Sequence, residues 1–481
     1  MHLHLLLTLT GCKDPEVLAF PEDFQFGSAT AGFQVEAGCP TVAAEECEDR
    51  NSDWYQWVTD EELIADGSNH LSGDPISWAP GHYELYDSDL QLAEDMGLTM
   101  FRFSFEWSRL FPDGAAEQAT SAEDLAQYAD AEALAWYRDY LASMKAHGLE
   151  PVATVNHYTL PLWVHDGKAC NADPDSCEAS GWLDEERMLP LITLFTEFLA
   201  QEFGDDITLW LTLNEPLAVI VSGYLFPSED RTNPPGIRDP DKALTVAWNM
   251  AQAHARMSDA LHAHDDDAQV GVVVNLGVTR PSDPDNPLHV QAAENMDYVY
   301  NEAILEMFIN GRLDSNLDGE VDLTDDSVAG RTDWLGLNYY FGFDVMGFDG
   351  PAPGFDDYPK MTFLPEGFDD DPALLAEAID MTAAYGLPIW ITENGVADPT
   401  PEDVEGFLDP SLEIVRQKSE EYDIRGYMYW SLMDNYEWNH GMGMLFGLYE
   451  VDLETKERTL RPIGERYAEI VQNHGFVVEE E

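Results

Sequence analysis

The sequence predicts an α/β fold, a single (β/α)8 (TIM) barrel, from three observations. Short apolar runs recur eight times along the 481 residues, helix-like segments lie between most of them, and two of the runs lead directly to a glutamate. Strands of a parallel sheet are buried on both faces and are therefore apolar throughout. Runs of this length that alternate with helices predict a parallel sheet closed into a barrel.

The eight runs are the predicted barrel strands, at 24–29, 98–105, 151–157, 209–214, 270–276, 334–340, 388–393 and 426–431. Apolar residues at helical spacing predict helices between them, at 83–96, 131–147, 189–203, 241–264, 372–385 and 410–422. Stretches rich in Asp and Pro, such as 281–287 and 349–372, are predicted to be loops. Neither an internal repeat nor a linker divides the chain, so residues 13–481 are predicted to form one domain.

Two of the runs lead directly to a carboxylate. The fourth run leads to Asn214-Glu215-Pro216, and the seventh ends in Thr392-Glu393. Catalytic side chains of a barrel lie at the carboxyl ends of its strands, so closure would bring these distant glutamates to one site. A pair of carboxyl groups, one protonated and one ionised, is the chemistry of a glycosidase.

Charge excludes several classes of partner. The chain has 23 Lys and Arg against 93 Asp and Glu, a net charge of −70. Such a field repels nucleic acid and anionic membrane surfaces, so neither is expected as an electrostatic partner. The charge fits either a highly soluble acidic surface or life in high salt, where ions screen self-repulsion.

Seven motifs together resemble glycoside hydrolase family 1, the β-glucosidase-like retaining β-glycosidases, over about residues 24–467. They lie at 26–31 with Gln34, at 102–104, at 157, at 214–216, at 338–340, at 392–395 and at 430–438. The resemblance implies a catalytic domain that needs no cofactor. It also implies a retaining exo-β-glycosidase, acting on terminal non-reducing β-D-glucosyl residues of a β-glucoside or oligosaccharide by double displacement.

Other activities stay open beside that expectation. A β-galactosidase, a β-fucosidase or a transglycosylase would use the same residues. A non-catalytic surface protein that binds sugar would be expected to lack Arg102 or one of the two glutamates, and all three are present.

The family resemblance also implies residue roles. Glu393 would be the nucleophile, with Arg102 and Tyr340 stabilising its charge, and Glu215 would be the acid/base, with Asn338 also in the catalytic group. The expected sugar contacts are Gln34, His157, Asn214, Trp430, Glu437, Trp438 and Phe446. An anionic Glu437 would repel a phosphate, which argues against 6-phosphorylated substrates.

The first twelve residues are predicted to be a lipoprotein-type signal. Leu9-Thr10-Gly11-Cys12 resembles the bacterial lipobox, and the run before it is too short to span a membrane. Acylation of Cys12 would make the chain an exported lipoprotein, periplasmic or on the cell surface, with the lipid as its only membrane contact. The leading segment has no Lys or Arg, and an N-terminal tail with a chance Cys is the alternative.

The other cysteines lie in two pairs of close neighbours, Cys39 with Cys47 and Cys170 with Cys177. An even number with local spacing predicts two small-loop disulfides in an exported protein. Four reduced thiols of a cytosolic enzyme are the alternative.

A further segment follows the spacing of a calcium-binding EF-hand loop. Gly319 and Val321 occupy its positions 6 and 8, and the candidate ligands are Asp314, Asn316, Asp318, Glu320 through its carbonyl, Asp322 and Asp325. The sequence therefore predicts a structural Ca²⁺ in this loop. The alternative is an acidic loop without an ion, in a chain already rich in Asp.

Overall fold

The computed structural model describes residues 16–478, which form a closed barrel of eight parallel strands. Each strand pairs with the next along the chain, and the eighth pairs with the first. The strands are β1 Gln25–Ala29, β2 Met100–Ser104, β3 Glu150–Asn156, β4 Leu209–Asn214, β5 Gln269–Asn275, β6 Trp334–Asn338, β7 Ile389–Asn394 and β8 Ile424–Trp430. The predicted (β/α)8 barrel is confirmed.

A helix follows every strand and packs outside the barrel. These helices are α1 His82–Met96, α2 Ala131–Ala146, α3 Glu185–Phe203, α4 Pro240–His264, α5 Ala303–Asn310, α6 Leu375–Ala383, α7 Asp409–Lys418 and α8 Pro462–Asn473. Side-chain caps fix several of their starts: the Asp130 carboxylate accepts from two backbone N–H groups at the start of α2. Gly97 ends α1 in the left-handed conformation that glycine adopts without steric cost.

Large aromatic side chains pack against glycines of neighbouring strands. A methyl group on Gly271 of β5 would lie 2.5 Å from the Trp334 ring, and one on Gly426 of β8 would lie 2.5 Å from the Trp390 ring. Both indoles are buried, Trp334 completely. The glycines are therefore required because the indole rings occupy the volume that a side chain would need.

The sequence pattern left some elements unpredicted and misassigned another. It omitted α5, the helix Pro287–Asp297 before it, and α8. It also predicted a loop at 349–372, which is wrong over Phe363–Asp369, an edge strand in a three-stranded sheet with Val278–Pro281 and Gly342–Gly347. Proline and glycine made the strand resemble a loop, but an edge strand tolerates Pro365 because one side of it needs no ladder hydrogen bonds.

Two disulfides close small loops at the carboxyl ends of barrel strands. Cys39 is bonded to Cys47 after β1, and Cys170 to Cys177 after β3, with Cα–Cα distances of 6.1 and 5.0 Å. These are the two pairs expected from their spacing. The predicted signal segment with Cys12 lies outside the described residues. Among residues 16–478, no helix has both the length and the apolar composition needed to cross a bilayer.

The segment after β8 is anchored by a buried ion pair. The Asp434 carboxylate accepts from both terminal nitrogens of Arg461, at 2.7 and 2.8 Å, and from the backbone N–H groups of Gly447 and Val451. Asp434 is 1% exposed. This contact ties the start of α8 to the segment that carries Glu437, one of the side chains expected to contact sugar.

Candidate active site

Glu215 and Glu393 both lie at the carboxyl-terminal mouth of the barrel. Glu393 lies in β7, opposite Asn338 of β6, and Glu215 directly follows β4. The strand register shifts between Leu211 and Asn214 and again between Ile391 and Asn394. Glu215 has φ 42°, ψ 66°, a left-handed conformation that is costly for a residue with a side chain. Both glutamate side chains are therefore positioned by local departures from regular strand geometry.

Glu393 contacts a cation and a phenol. Arg102 Nη1 donates to Oε1 at 2.7 Å, and the Tyr340 hydroxyl donates to Oε2 at 2.8 Å. Arg102 is completely buried, and its remaining donors reach Asn214 Oδ1 at 2.6 Å, Thr154 Oγ1 at 3.2 Å and a backbone carbonyl. The Glu393 carboxylate is therefore held in one orientation by two donors that favour its charged form.

Opposing influences set the proton affinity of Glu393. Burial raises the pKa of its carboxyl to about 7, and the Glu215 charge acts in the same direction. The Arg102 charge and the hydrogen bonds from Arg102 and Tyr340 lower that pKa. Desolvation outweighs the attraction of the cation, which places the titration of this carboxyl close to neutral pH.

Glu215 has neutral partners. Asn338 Nδ2 donates to Oε1 at 2.8 Å, and the Tyr158 hydroxyl donates to Oε2. Burial raises the pKa of Tyr158 well above its usual range, so the phenol keeps its proton. A phenol can accept as well as donate, so this contact can persist when Glu215 carries a proton. Sequence analysis did not include Tyr158, although it follows His157 directly in the chain.

An amide network fixes the side chains between the two glutamates. Asn214 Oδ1 accepts from both Arg102 and Asn338, so its Nδ2 is a donor, 3.1 Å from His157 Nε2. Burial and the nearby arginines lower the pKa of His157 well below its usual range, so its ring is neutral. Nε2 then accepts, and the ring proton is on Nδ1.

Two buried polar atoms of this pocket have no partner among the described residues: His157 Nδ1, a donor, and Gln34 Oε1, an acceptor. Buried polar atoms are nearly always hydrogen-bonded, and an exception at a pocket indicates a place for ligand or water. One free donor and one free acceptor match the hydroxyl groups of a sugar.

Aromatic rings and an acidic side chain complete the pocket. The His157 ring lies nearly parallel to Trp430 and to Trp438, at centroid distances of 6.0 and 5.8 Å. Gln34 Nε2 donates to Glu437 Oε2 at 2.9 Å. Phe446 meets the Tyr340 ring edge-on at 5.9 Å. The structure thus gathers all the side chains expected to contact sugar around the two glutamates.

Glu437 has a second partner that sequence analysis missed. Arg231 Nη1 donates to Glu437 Oε1 at 3.1 Å. Burial raises the pKa of Glu437, and the Arg231 charge lowers it. No motif marks Arg231, since it lies in an irregular segment between β4 and α4.

The loop from Asp314 to Asp325 lies apart from this pocket, in the connection from α5 to β6. The Asp314 carboxylate accepts from backbone N–H groups, including that of Gly319 at 2.7 Å, and from the Tyr298 hydroxyl at 2.7 Å. Asp322 accepts from the N–H and the hydroxyl of Ser315. No group of three or more His, Cys, Asp and Glu within residues 16–478 is arranged to hold a metal ion.

The geometry fits a particular chemistry. One buried carboxylate is oriented by a cation, the other is held by an amide and a phenol, and hydroxyl-binding groups and aromatic faces surround both. Retaining glycosidases need this arrangement of two carboxyl groups with different environments at one site.

Comparisons with known proteins identify the family. The model of glycosyl hydrolase family 1 matches residues 17–476. A β-galactosidase of Pyrococcus woesei is 31% identical over 96% of this chain and 99% of its own length. β-Glucosidase A of Thermotoga maritima is 27% identical over 96% of this chain and 99% of its own length.

Solved structures agree as well. The β-glucosidase of Pyrococcus furiosus superposes with a TM-score of 0.78 at 31% identity, covering 95% of this chain and 97% of that one. The β-glycosidase of Thermosphaera aggregans gives 0.79 at 27% identity, with the same coverage. Family model, relatives and fold all extend over nearly the whole chain, and the chain therefore belongs to glycosyl hydrolase family 1.

Proposed function

We propose that this retaining β-glycosidase removes terminal non-reducing β-D-glucosyl residues, with Glu393 as nucleophile and Glu215 as acid/base. The observation that carries the assignment of roles is the difference between the partners of the two carboxyls. Glu393 faces the Arg102 guanidinium and the Tyr340 hydroxyl, which favour an anion. Among residues 16–478, the side-chain donors to Glu215 are both uncharged, from Asn338 and Tyr158.

The reaction takes two displacements. Glu393 attacks the anomeric carbon while the bond to the leaving oxygen breaks and Glu215 gives that oxygen its proton. Water then attacks the same carbon, Glu215 takes the proton of the water, and the bond to Glu393 breaks. Each displacement inverts the carbon, so the product keeps the β configuration.

Glucose is proposed as the sugar, and galactose and fucose are the alternatives. The relatives support the class of substrate rather than one sugar, because their names include β-galactosidase, β-glucosidase and a bifunctional β-glucosidase/β-fucosidase. A higher kcat/KM on an aryl β-galactoside or β-fucoside than on the β-glucoside would move the assignment to that sugar. Disaccharide as the main product would indicate a transglycosylase.

Two features support export of the protein. They are the lipobox-like residues before Cys12 and the two disulfides, which suit an oxidising compartment. We propose that the protein is exported and anchored through acylated Cys12. Mass spectrometry of native protein is expected to find a lipidated Cys12 as the first residue, and an unmodified N-terminus upstream of it would contradict the anchor.

We expect chemical rescue with azide to distinguish the roles of the two glutamates. Glu393→Gly should lose at least about 10³-fold in kcat, since it removes the covalent step. Added azide should then give the α-glycosyl azide by a single displacement. Glu215→Gly should still form the intermediate from aryl glycosides with good leaving groups, and azide should give the β-glycosyl azide. NMR of the azide products checks both, and opposite anomers would mean that the roles are reversed.

We expect the fall of kcat/KM at acidic pH (the acidic limb) to follow the protonation of the Glu393 carboxyl. Burial raises the pKa of this carboxyl to about 7, so activity should fall as the pH drops below that value and the nucleophile gains a proton. Tyr340→Phe removes a hydrogen bond that lowers this pKa, and should move the limb up by roughly 0.5–1 pH unit. Tyr86→Phe in α1 is the control, and an unshifted limb in Tyr340→Phe would contradict the assignment.

We propose that the loop from Asp314 to Asp325 binds Ca²⁺, on the strength of its ligand spacing and hard oxygen donors. Adding Ca²⁺ to chelator-treated protein should raise Tm by a few degrees, since an ion that binds only the folded state stabilises it. The double variant Asp318→Asn, Asp322→Asn should not respond. The double variant Asp356→Asn, Asp357→Asn, outside the loop, should respond like the wild type. An unchanged wild-type Tm would contradict a bound ion.

A further inference from the structure

Arg231 is a cation at the sugar pocket that none of the expected roles accounts for. Its guanidinium lies over the Trp438 ring at 5.2 Å and over the Tyr158 ring at 5.4 Å. It therefore spans from the wall that carries Glu437 and Trp438 to the phenol that holds Glu215. Few cations are present in this chain, 23 against 93 acidic residues, so one at this position is unusual.

We propose that Arg231 is a specificity-determining residue, which donates a hydrogen bond to the same glycone hydroxyl that donates to Glu437. The proposal rests on the proposed function, because it takes Glu437 as a sugar-binding residue. It extends that function by assigning Arg231 as a hydrogen-bond donor to the glycone hydroxyl beside Glu437.

Two hydrogen bonds to other side chains fix the position of the Arg231 guanidinium. Its Nε donates at 3.0 Å to the side-chain oxygen of Asn233, a residue that is 1% exposed. Its Nη1 is used by Glu437 Oε1 at 3.1 Å. The side chain is 22% exposed. Fixed through two of its nitrogens and stacked on two aromatic rings, the guanidinium has little freedom to lose when a ligand binds.

The remaining nitrogen is available. Nη2 of Arg231 donates to no residue in the described part of the chain, and a guanidinium buried on most sides usually uses its donors. It belongs to the same planar group as Nη1, which lies against Glu437. Arg231 therefore presents a free N–H beside the carboxylate that is expected to receive sugar hydroxyls.

A carboxylate and a guanidinium side by side match both functions of a hydroxyl. The hydroxyl donates its proton to Glu437 and accepts from Nη2 with its lone pairs. Glu437 alone would satisfy only the first of these. A glycone without that hydroxyl would leave the Glu437 carboxylate and the Arg231 Nη2 without a sugar partner, which is the basis of discrimination.

An anionic glycone, such as a uronide or a 6-phosphate, is the competing ligand for a cation here. The charge of Arg231 is already matched by Glu437, whose carboxylate would lie beside the incoming anion. The net charge of −70 opposes an anion as well. A neutral hydroxyl is therefore favoured.

The family resemblance implies that Glu437 accepts from the O4 and O6 hydroxyls of the glycone. The experiment therefore compares 4-nitrophenyl β-glucoside with its 4,6-dideoxy analogue, which lacks both hydroxyls. Arg231→Ala is expected to lower kcat/KM on the parent glucoside by about 10- to 100-fold. On the dideoxy analogue the loss should stay below about 3-fold, because the hydrogen bond is absent in both proteins. Arg231→Lys, which keeps the charge without the planar fork, should lose most of the discrimination as well.

Arg238→Ala is the matched control, since Arg238 lies in the same segment and stacks on Phe226 at 5.0 Å. It should leave the ratio of the two substrates unchanged. Equal losses on both substrates in Arg231→Ala would reduce Arg231 to a structural role and overturn the proposal. So would wild-type preference for a β-glucuronide or a 6-phosphoglucoside. A wild-type protein that is inactive on every β-glycoside would instead contradict the proposed function. The same assay therefore distinguishes failure of the Arg231 proposal from failure of the proposed function.

Discussion

The active site depends on one buried arginine. Arg102 lies inside the barrel, completely buried, and its donors reach residues of three other strands: Thr154 of β3, Asn214 of β4 and Glu393 of β7. A charge at this depth is stable only while its partners remain. Arg102 is therefore a constraint on the mouth of the barrel, because it fixes Glu393 and the amide next to Glu215 in one arrangement.

The same network makes two chemically equal side chains unequal. Glu393 accepts from the Arg102 cation, and Glu215 accepts from an amide and a phenol, although Asn338 and Asn214 connect the two. Because Asn214 already accepts from Arg102, its other end must donate to His157, and this fixes the histidine tautomer. Arg102 thus favours the charged form of Glu393, fixes which end of the Asn214 amide donates and thereby sets the tautomer of His157. The Nδ1–H of His157 that results has no partner among the described residues.

Barrel, strands and both glutamates could be predicted from sequence because apolar runs define the strands and the fold fixes which end of each strand is functional. Arg231 could not, since its partner Glu437 is 206 positions away and the segment between β4 and α4 has no regular pattern. Tyr158 depends on a backbone at φ 70°, which composition does not indicate. The edge strand at 363–369 was hidden by Pro365, and spacing in the 314–325 loop could not predict that Asp314 accepts local N–H groups.

The backbone of Glu215 has a consequence for how this protein could change over time. A side chain at φ 42° costs on the order of 1–3 kcal/mol, and glycine at that position would pay nothing for the conformation. The backbone conformation by itself therefore favours glycine over Glu215, and its proposed role as acid/base is a reason to retain a side chain there. In related proteins that no longer need catalysis, substitutions should therefore appear first at Glu215. Arg102 should be retained longer, because its loss would leave a buried carboxylate without its cation.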